Sequence, residues 1–331
     1  MGYLNKYGGI WGDVPDTAGR ILWVAPASSY TVEGRSYTAS DDNDGLSPER
    51  AKLTLDSAIN STTANVGDVI ALLPGAHSWS ASAALDIAGV TILGLPYMPQ
   101  SRVSRGVSNA KPKTSITTSA SDEIINITAA DCEIINLVII PVTALTGIDL
   151  TSAADRTTFR DCWFDLKTPV GAAATRGVSI VGQAYTAGVD DLYFGNCVFE
   201  EENFGTSQGP GAAIGSALNF VVENCTFKVD GRSSNGVAAA AWSVAIQSSS
   251  GATGVYRDCD FLTSDAVAMT KAITGVDSGS ASGIGILRCF GSDDVSKLVD
   301  DFGAGDAYIA GNYISVLGDL VAGQSLVTAV T

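Results

Sequence analysis

The apolar residues of this chain come in short runs that alternate with polar ones instead of recurring at helical spacing. Four stretches carry the pattern most clearly: TFRDCWFDL at Thr158–Leu166, YFGNCVFEE at Tyr193–Glu201, VVENCTFKV at Val221–Val229 and VYRDCDFLT at Val255–Thr263. Alternation with period two predicts strand in each. Aligned on Cys162, Cys197, Cys225 and Cys259, the four place Asp161, Asn196, Asn224 and Asp258 in the preceding column. Phe164, Phe199, Phe227 and Phe261 follow two positions after the cysteine, and Phe159, Phe194, Val222 and Tyr256 stand two before the Asp/Asn column. Weaker copies, GVTILGL, EIINLVI, GILRCFG and YIAGNYI, bring Gly94, Asn136, Arg288 and Gly311 into that same column.

The column recurs at steps of 23 to 42 residues, a period typical of stacked repeats. One such strand per repeat, followed by a variable Gly/Ser/Thr/Ala-rich stretch, is the pattern of a parallel β-solenoid. Its coils stack at about 4.8 Å, so eight of them predict a rod on the order of 40 Å long. A coil cannot bury its apolar face alone and draws its stability from its neighbours.

This arrangement explains the cysteines. Five of the six share one inward column, where a small apolar thiol packs on its equivalents; Cys132, five positions before Leu137, falls outside it. Free buried thiols are expected over disulfides, and the spacing contains no CxxC or Cys/His cluster for zinc. The Asp/Asn column allows two readings: a row of catalytic or calcium-binding carboxylates, or a polar ladder at a corner of the coil. Its amides favour the ladder.

Ahead of the repeats, Ser47–Pro48 signals a helix start. Ala51, Leu55, Ala58 and Ile59 share one apolar face, so a helix over Pro48–Asn60 is expected to cap the open end of the solenoid. VGDVIALLPGAH then reads as the first inner strand, ending at Pro74–Gly75.

The chain of 331 residues carries 19 basic and 35 acidic residues, a formal charge of −16. That balance argues against nucleic acid or an anionic membrane as partner. With 46% apolar and 16% charged residues the chain is not a solvated disordered one. It has no run of apolar residues long enough to predict membrane insertion. The start, MGYLNKYGGIWGDVPD, lacks a Sec-type signal, so the protein is expected to stay where it is made.

Other candidate chemistry is sparse. Glu200, Glu201 and Glu202 are the densest acidic spot and read as a solvated turn or, less readily, half of a carboxylate pair. The Asp190–Asp191 and Asp293–Asp294 pairs fall in turns. Asp41, Asp42, Asn43 and Asp44 ahead of Gly45 match a calcium loop only in part, lacking its bidentate Glu, and read more readily as an Asx-type turn. His77, the single histidine, reads as a turn side chain. Tyr3, Tyr7, Ile10, Trp11 and Trp23 need burial, either on the rod or against a neighbouring subunit. The Pro-rich, basic segment Pro96–Ser115 reads as a solvated excursion or a contact surface.

The segment Asp41–His77, with its acidic Asp-Gly loop, Ser-Pro, short helix and Gly-Asp-strand-Pro-Gly turn, resembles the N-terminal lead-in of right-handed β-helices of the pectate-lyase-like superfamily. The resemblance implies an all-β fold, a single-stranded right-handed parallel β-helix (solenoid) with a short N-terminal capping helix. The expected divisions are an N-terminal arm and lead-in loop at 1–45, the capping helix at 46–62, the β-helix at 63–316 and a C-terminal tail at 317–331. Polygalacturonase-like members of the superfamily use a Gly-His-Gly and an Arg-x-Lys, and lyase-like members an Arg-x-Pro-x-x-Arg. The sequence contains no Gly-His-Gly and no Arg-x-Pro-x-x-Arg, and its one Arg-x-Lys, Arg50–Lys52, falls in the segment expected to form the cap, away from the repeats, so no catalytic, cofactor-binding or metal-binding residue is assigned and no enzyme activity is expected.

The Met1 start and the arm NKYGGIWGDVP are also similar to those of bacteriophage virion proteins built on this fold. That resemblance implies a virion structural protein made in the host cytoplasm: a capsid-surface decoration or head-fibre protein that stabilises the shell or serves surface attachment. Its implied partners are further copies of itself as a homotrimer, the major capsid protein and a host-surface glycan. Assembly contacts are expected at Tyr3, Tyr7, Ile10 and Trp11. The alternative is a tail spike, or a secreted β-helix polysaccharide lyase or glycosidase.

Overall fold

The computed structural model describes residues 19–79, 84–96, 111–118, 125–140, 148–165, 178–179, 189–201, 212–214, 218–229, 244–248, 253–263, 271–275, 283–291, 299–300, 307–311 and 313–314. Each repeat contributes one turn of a right-handed parallel β-helix with three sides. A ten-stranded major sheet runs from Ile21–Val24 to Ala307–Ala310, and every neighbouring pair in it is parallel. A nine-stranded second sheet runs from Gly75–Trp79 to Tyr313–Ile314. The third side consists of a three-stranded and a five-stranded piece. Ten rows at about 4.8 Å make the rod about 43 Å long.

The repeated phrase is two strands, not one. Thr158–Arg160 lies in the major sheet and Trp163–Asp165 in the second, with Asp161 between them at φ 55°. Asn136, Asn196, Asn224, Asp258 and Arg288 take the same left-handed conformation, as does Gly311 at φ 65°. Asn and Asp tolerate that conformation because a short polar side chain can bond locally. The bend shifts the alternation by one residue, so Phe159, Cys162 and Phe164 all point inward.

Inside, identical side chains stack row upon row. Phe164, Phe199, Phe227 and Phe261 form one column, with ring centroids 4.4, 4.7 and 5.1 Å apart and nearly parallel planes. Phe159 stacks on Phe194 at 4.8 Å. Cys162, Cys197, Cys225, Cys259 and Cys289 form the inward column at the corner, and all six cysteines are free and buried.

The capping segment differs from the single helix expected over Pro48–Asn60. It breaks into a 3-10 turn, Pro48–Arg50, and a one-turn helix, Leu55–Ile59. The break is imposed by the sheet edge. Trp23 N–H donates to Gly45 O at 2.7 Å, Lys52 N–H to Trp23 O at 2.8 Å and Ala25 N–H to Lys52 O at 3.0 Å, so the chain at Lys52 is drawn out flat to pair with the first strand. Ser47 makes no side-chain cap bond; Thr54 caps instead, its hydroxyl accepting from Ser57 N–H at 3.2 Å. Leu55, Ala58 and Ile59 then plug the interior against Val24, Ile70 and Trp79.

Part of the segment expected to be arm belongs to the rod. Ile21–Val24 is the first strand of the major sheet, ahead of Val69–Leu72, and Trp23 is buried in it. A hairpin, Ser29–Val32 with Arg35–Thr38, lays Tyr30, Val32 and Tyr37 over the outer face of the first rows, where Trp23, Ala71, Leu93 and Ile135 are apolar.

Candidate functional site

With an interior filled by side chains, any site must lie on an outer face. The second sheet is roofed: its outward Val138, Trp163, Val198, Thr226 and Asp260 are all buried. Lys111, at the end of the basic excursion, stands 5.0 Å over the Trp163 ring and bonds Asp165 at 2.8 Å, so this part of the loop is a lid rather than a free contact surface. On the third side, Asn126 registers between Ala84 and Asp149.

The major sheet is open beyond the hairpin. Two outward columns run along the rod there, one through Glu133, Thr158, Tyr193, Val221 and Val255, the other through Arg160, Gly195, Glu223, Arg257 and Leu287. Where the hairpin stops, the second column changes from Trp23, Ala71, Leu93 and Ile135 to Arg160, Gly195, Glu223 and Arg257, while Val221, Val255 and Leu287 stay apolar. Arg160 pairs with Glu133 at 2.8 Å, and Thr91 Oγ1 lies 3.4 Å from the other Glu133 oxygen. Tyr193 hydroxyl donates to Glu223 Oε1 at 2.5 Å, and Arg257 Nε donates to Glu223 Oε2 at 2.5 Å. Burial, then the Glu223 carboxylate beside it, holds the Tyr193 hydroxyl pKa well above its ordinary value. Tyr193 reaches Glu223 by leaning across Gly195: a Cβ there would run into the Tyr193 hydroxyl and ring.

A second left-handed corner precedes the major sheet at Asn65, Asp131, Arg156, Asp191 and Asn219, with Gly89 in the same column. Each row is tied to the next by a backbone bond, as from Asp131 N–H to Asp155 O and Arg156 N–H to Asp190 O. Here Arg156 grips Asp131 with two bonds, 2.6 and 2.8 Å, holding that carboxyl below its ordinary range. Asp190 N–H donates to Asp155 Oδ1 at 2.9 Å. Asp190 and Asp191 are therefore corner residues. Glu200 and Glu201 lie within the strand Val198–Glu201 and not in a turn after it, because the strand is longer than the alternation implied. Glu202, Asp293 and Asp294 lie outside the described residues, as do Tyr3, Tyr7, Ile10 and Trp11.

His77 is not a turn residue. It sits in the strand Gly75–Trp79, buried, with Nε2 2.7 Å from Leu73 O, and burial lowers its pKa. At the Asp41–Asp44 loop the backbone oxygens turn toward a built-in cation. Buried Lys52 donates from Nζ to Asn43 O at 2.9 Å, Asp41 O at 3.2 Å and Ser57 Oγ at 3.3 Å. The Asp41 carboxylate is spent on Leu53 N–H, Thr54 N–H and the Thr54 hydroxyl, and Asp44 on Arg50. Among the described residues no group of three or more His, Cys, Asp or Glu is placed to hold a metal ion.

The buried thiols donate to backbone carbonyls of their own and the preceding coil, as Cys162 does to Arg160 O at 3.3 Å and Ile134 O at 3.4 Å. Burial raises the pKa values of Cys132 (to about 11), Cys162, Cys197, Cys225 and Cys259, so none of these five is poised as a nucleophile.

No family model matches the chain, and no curated protein matches it in sequence. Among solved structures, a pectin methylesterase from Erwinia chrysanthemi is 12% identical and superposes over 89% of this chain and 89% of its own, with a TM-score of 0.51. A pectate lyase is 13% identical over 91% of this chain and 78% of its own, TM-score 0.51. A pectin methylesterase from Yersinia enterocolitica is 11% identical over 80% and 90%, TM-score 0.51. At such identities the similarity is one of fold: this chain is a right-handed parallel β-helix.

Proposed function

We propose that this chain holds and acts on a polysaccharide laid lengthwise along its rod. The observation that carries the reading is the open stretch of the major sheet, where hydrogen-bonding side chains recur on successive rows along the axis. Rows about 4.8 Å apart are comparable in spacing to successive sugars of an extended glycan. The superposed structures, pectin methylesterases and a pectate lyase, lend support, since the same scaffold serves polysaccharide chemistry in them. Fold alone does not fix function, so the reading stands on the face itself. Incubation with esterified pectin, polygalacturonate, alginate and bacterial surface glycans, followed by assays of binding, released methanol and unsaturated ends, tests it. Binding with turnover of at least one polymer is expected; no binding to any would sink it.

A second reading, a bacteriophage virion structural protein on the capsid surface, is favoured by a different observation. Both carboxylates of the open face, Glu133 and Glu223, are engaged by neighbours on adjacent rows. Such pairing suits a surface that stiffens a rod in an assembly. In that reading the chain is a homotrimer that docks on the major capsid protein through Tyr3, Tyr7, Ile10 and Trp11. Native mass measurement of the full chain and of a form lacking residues 1–18 separates the two: loss of a trimer on truncation, with no glycan binding, favours the virion role.

A further inference from the structure

We propose that the Tyr193 ring is a stacking platform for one uncharged pyranose, flanked along the rod by Arg160 on one side and Glu223 with Arg257 on the other. The inference rests on the polysaccharide reading above and adds the site and the class of sugar.

Aromatic side chains on an open sheet face ordinarily stand off the surface between their cross-strand neighbours. Tyr193 does not. Its hydroxyl, Cζ and Cε1 are the atoms nearest the position a Cβ of Gly195 would take, so the ring lies across its own strand. The hydroxyl end of the ring lies over Gly195, and the residue is only half-buried, so part of the ring is exposed. The bond from the hydroxyl to Glu223 clamps the ring, and Arg257 in turn fixes Glu223. A ring so held is pre-organised, which cuts the ordering cost of binding.

The partner chemistry follows from what surrounds the ring. The face of an aromatic ring is electron-rich and attracts the weakly positive C–H hydrogens on one side of a pyranose. Sugar hydroxyls at the edge of that pyranose need both donors and acceptors. Arg160 registers with Gly195 on the row below and Glu223 with it on the row above, and Arg257 follows one row further. All three are part-exposed and so are within reach of a ligand. The strip carries two Arg and two Glu and is locally balanced, on a protein whose formal charge is −16. A polyanion would be repelled by the whole molecule without a basic groove to receive it, whereas a neutral or esterified glycan would not.

The test uses affinity electrophoresis of the full chain through gels containing fully methyl-esterified galacturonan, de-esterified polygalacturonate or a neutral glucan. Wild type should be retarded by at least one uncharged polymer and least by the polyanion. Tyr193→Ala should weaken retardation at least about tenfold, the scale of losing a central aromatic contact. Gly195→Ala should do the same while keeping the ring, because its methyl group displaces it. Tyr193→Phe should weaken binding clearly less than Tyr193→Ala, since the platform remains and only the clamp to Glu223 is lost. Circular dichroism must show each variant folded; should Tyr193→Ala fail, Arg160→Gln reads the same site from the exposed surface and should lose binding several-fold. If wild type binds and both Tyr193→Ala and Gly195→Ala bind equally well, the platform is wrong and the polysaccharide reading survives. If polygalacturonate binds best, the uncharged class is wrong. If wild type is retarded by none of the three, the uncharged-sugar site is wrong, and the reading beneath it fails as well once alginate and bacterial surface glycans also fail to bind.

Discussion

Replacing Phe194 with alanine should destabilise the rod more than replacing Phe261, although both rings are fully buried. Phe194 stacks on Phe159 at 4.8 Å and meets Phe164 at 6.2 Å and Phe199 at 6.0 Å, so its loss removes contacts to three rings on three strands. Phe261 meets Phe227 at 5.1 Å. Truncating a buried Phe costs about 3–5 kcal/mol through lost transfer energy and the cavity left behind. Each aromatic pair adds about 0.5–1.5 kcal/mol beyond area burial, and the two extra pairs of Phe194 place Phe194→Ala above Phe261→Ala by about 1–3 kcal/mol. Urea unfolding followed by far-ultraviolet circular dichroism at matched slopes gives the difference in midpoints. A rod whose rows were held chiefly by backbone ladders would show equal midpoints for the two variants, and that result would refute the stacked-core argument.

Other expectations concern the corners and the cap. Native protein should show little reaction with a thiol reagent and about six free thiols after denaturation; Cys225→Asp should lose the fold, since it forces an unpaired carboxylate into the core. Lys52→Met should cost about 1–3 kcal/mol by leaving the Asp41 and Asn43 carbonyls without a donor, and neither calcium nor a chelator should move the thermal midpoint of wild type. Burial alone would raise the Asp68 carboxyl pKa, but bonds from Arg20 N–H, Thr63 N–H and the Arg20 guanidinium hold it net below its ordinary value. Its folded value thus lies under the unfolded one, about 3.9, so the stability it gives is complete above that pH and is lost as pH falls through the folded value. Asp68→Asn should flatten that acid limb of a stability–pH curve, and an unchanged limb would show that Asp68 is not its source.

The spine of the fold was legible because chemistry and geometry repeat together. The Asp/Asn column reads directly as the left-handed corner, and the cysteine and Phe columns as the stacked interior. The second corner at Asn65, Asp131, Arg156, Asp191 and Asn219 escapes the pattern, its only signal being a polar residue one to four places before a strand of the major sheet. Arg156 in that column hides it, since a left-handed arginine is held there by neighbouring rows and not by its own preference. The capping helix is shorter than its apolar spacing predicts for a related reason: the spacing is genuine, yet the unpaired edge at Trp23 competes for the backbone of Lys52 and wins. Gly195, Glu223 and Arg257 share the column just before the Asp/Asn column and align from sequence; that Tyr193 leans across Gly195 to reach Glu223 does not, because the repeat fixes which residues are neighbours and not the direction a side chain takes.

Arginine-specific modification with phenylglyoxal, read by mass spectrometry with and without a bound uncharged glycan, tests most directly whether a polysaccharide lies along the open major sheet. We expect the glycan to protect Arg160 and Arg257, and to leave Arg35 and Arg50 at the capped end as reactive as in the free protein. Equal modification of Arg160 and Arg257 while the glycan stays bound, or protection confined to Arg35 and Arg50, would contradict it.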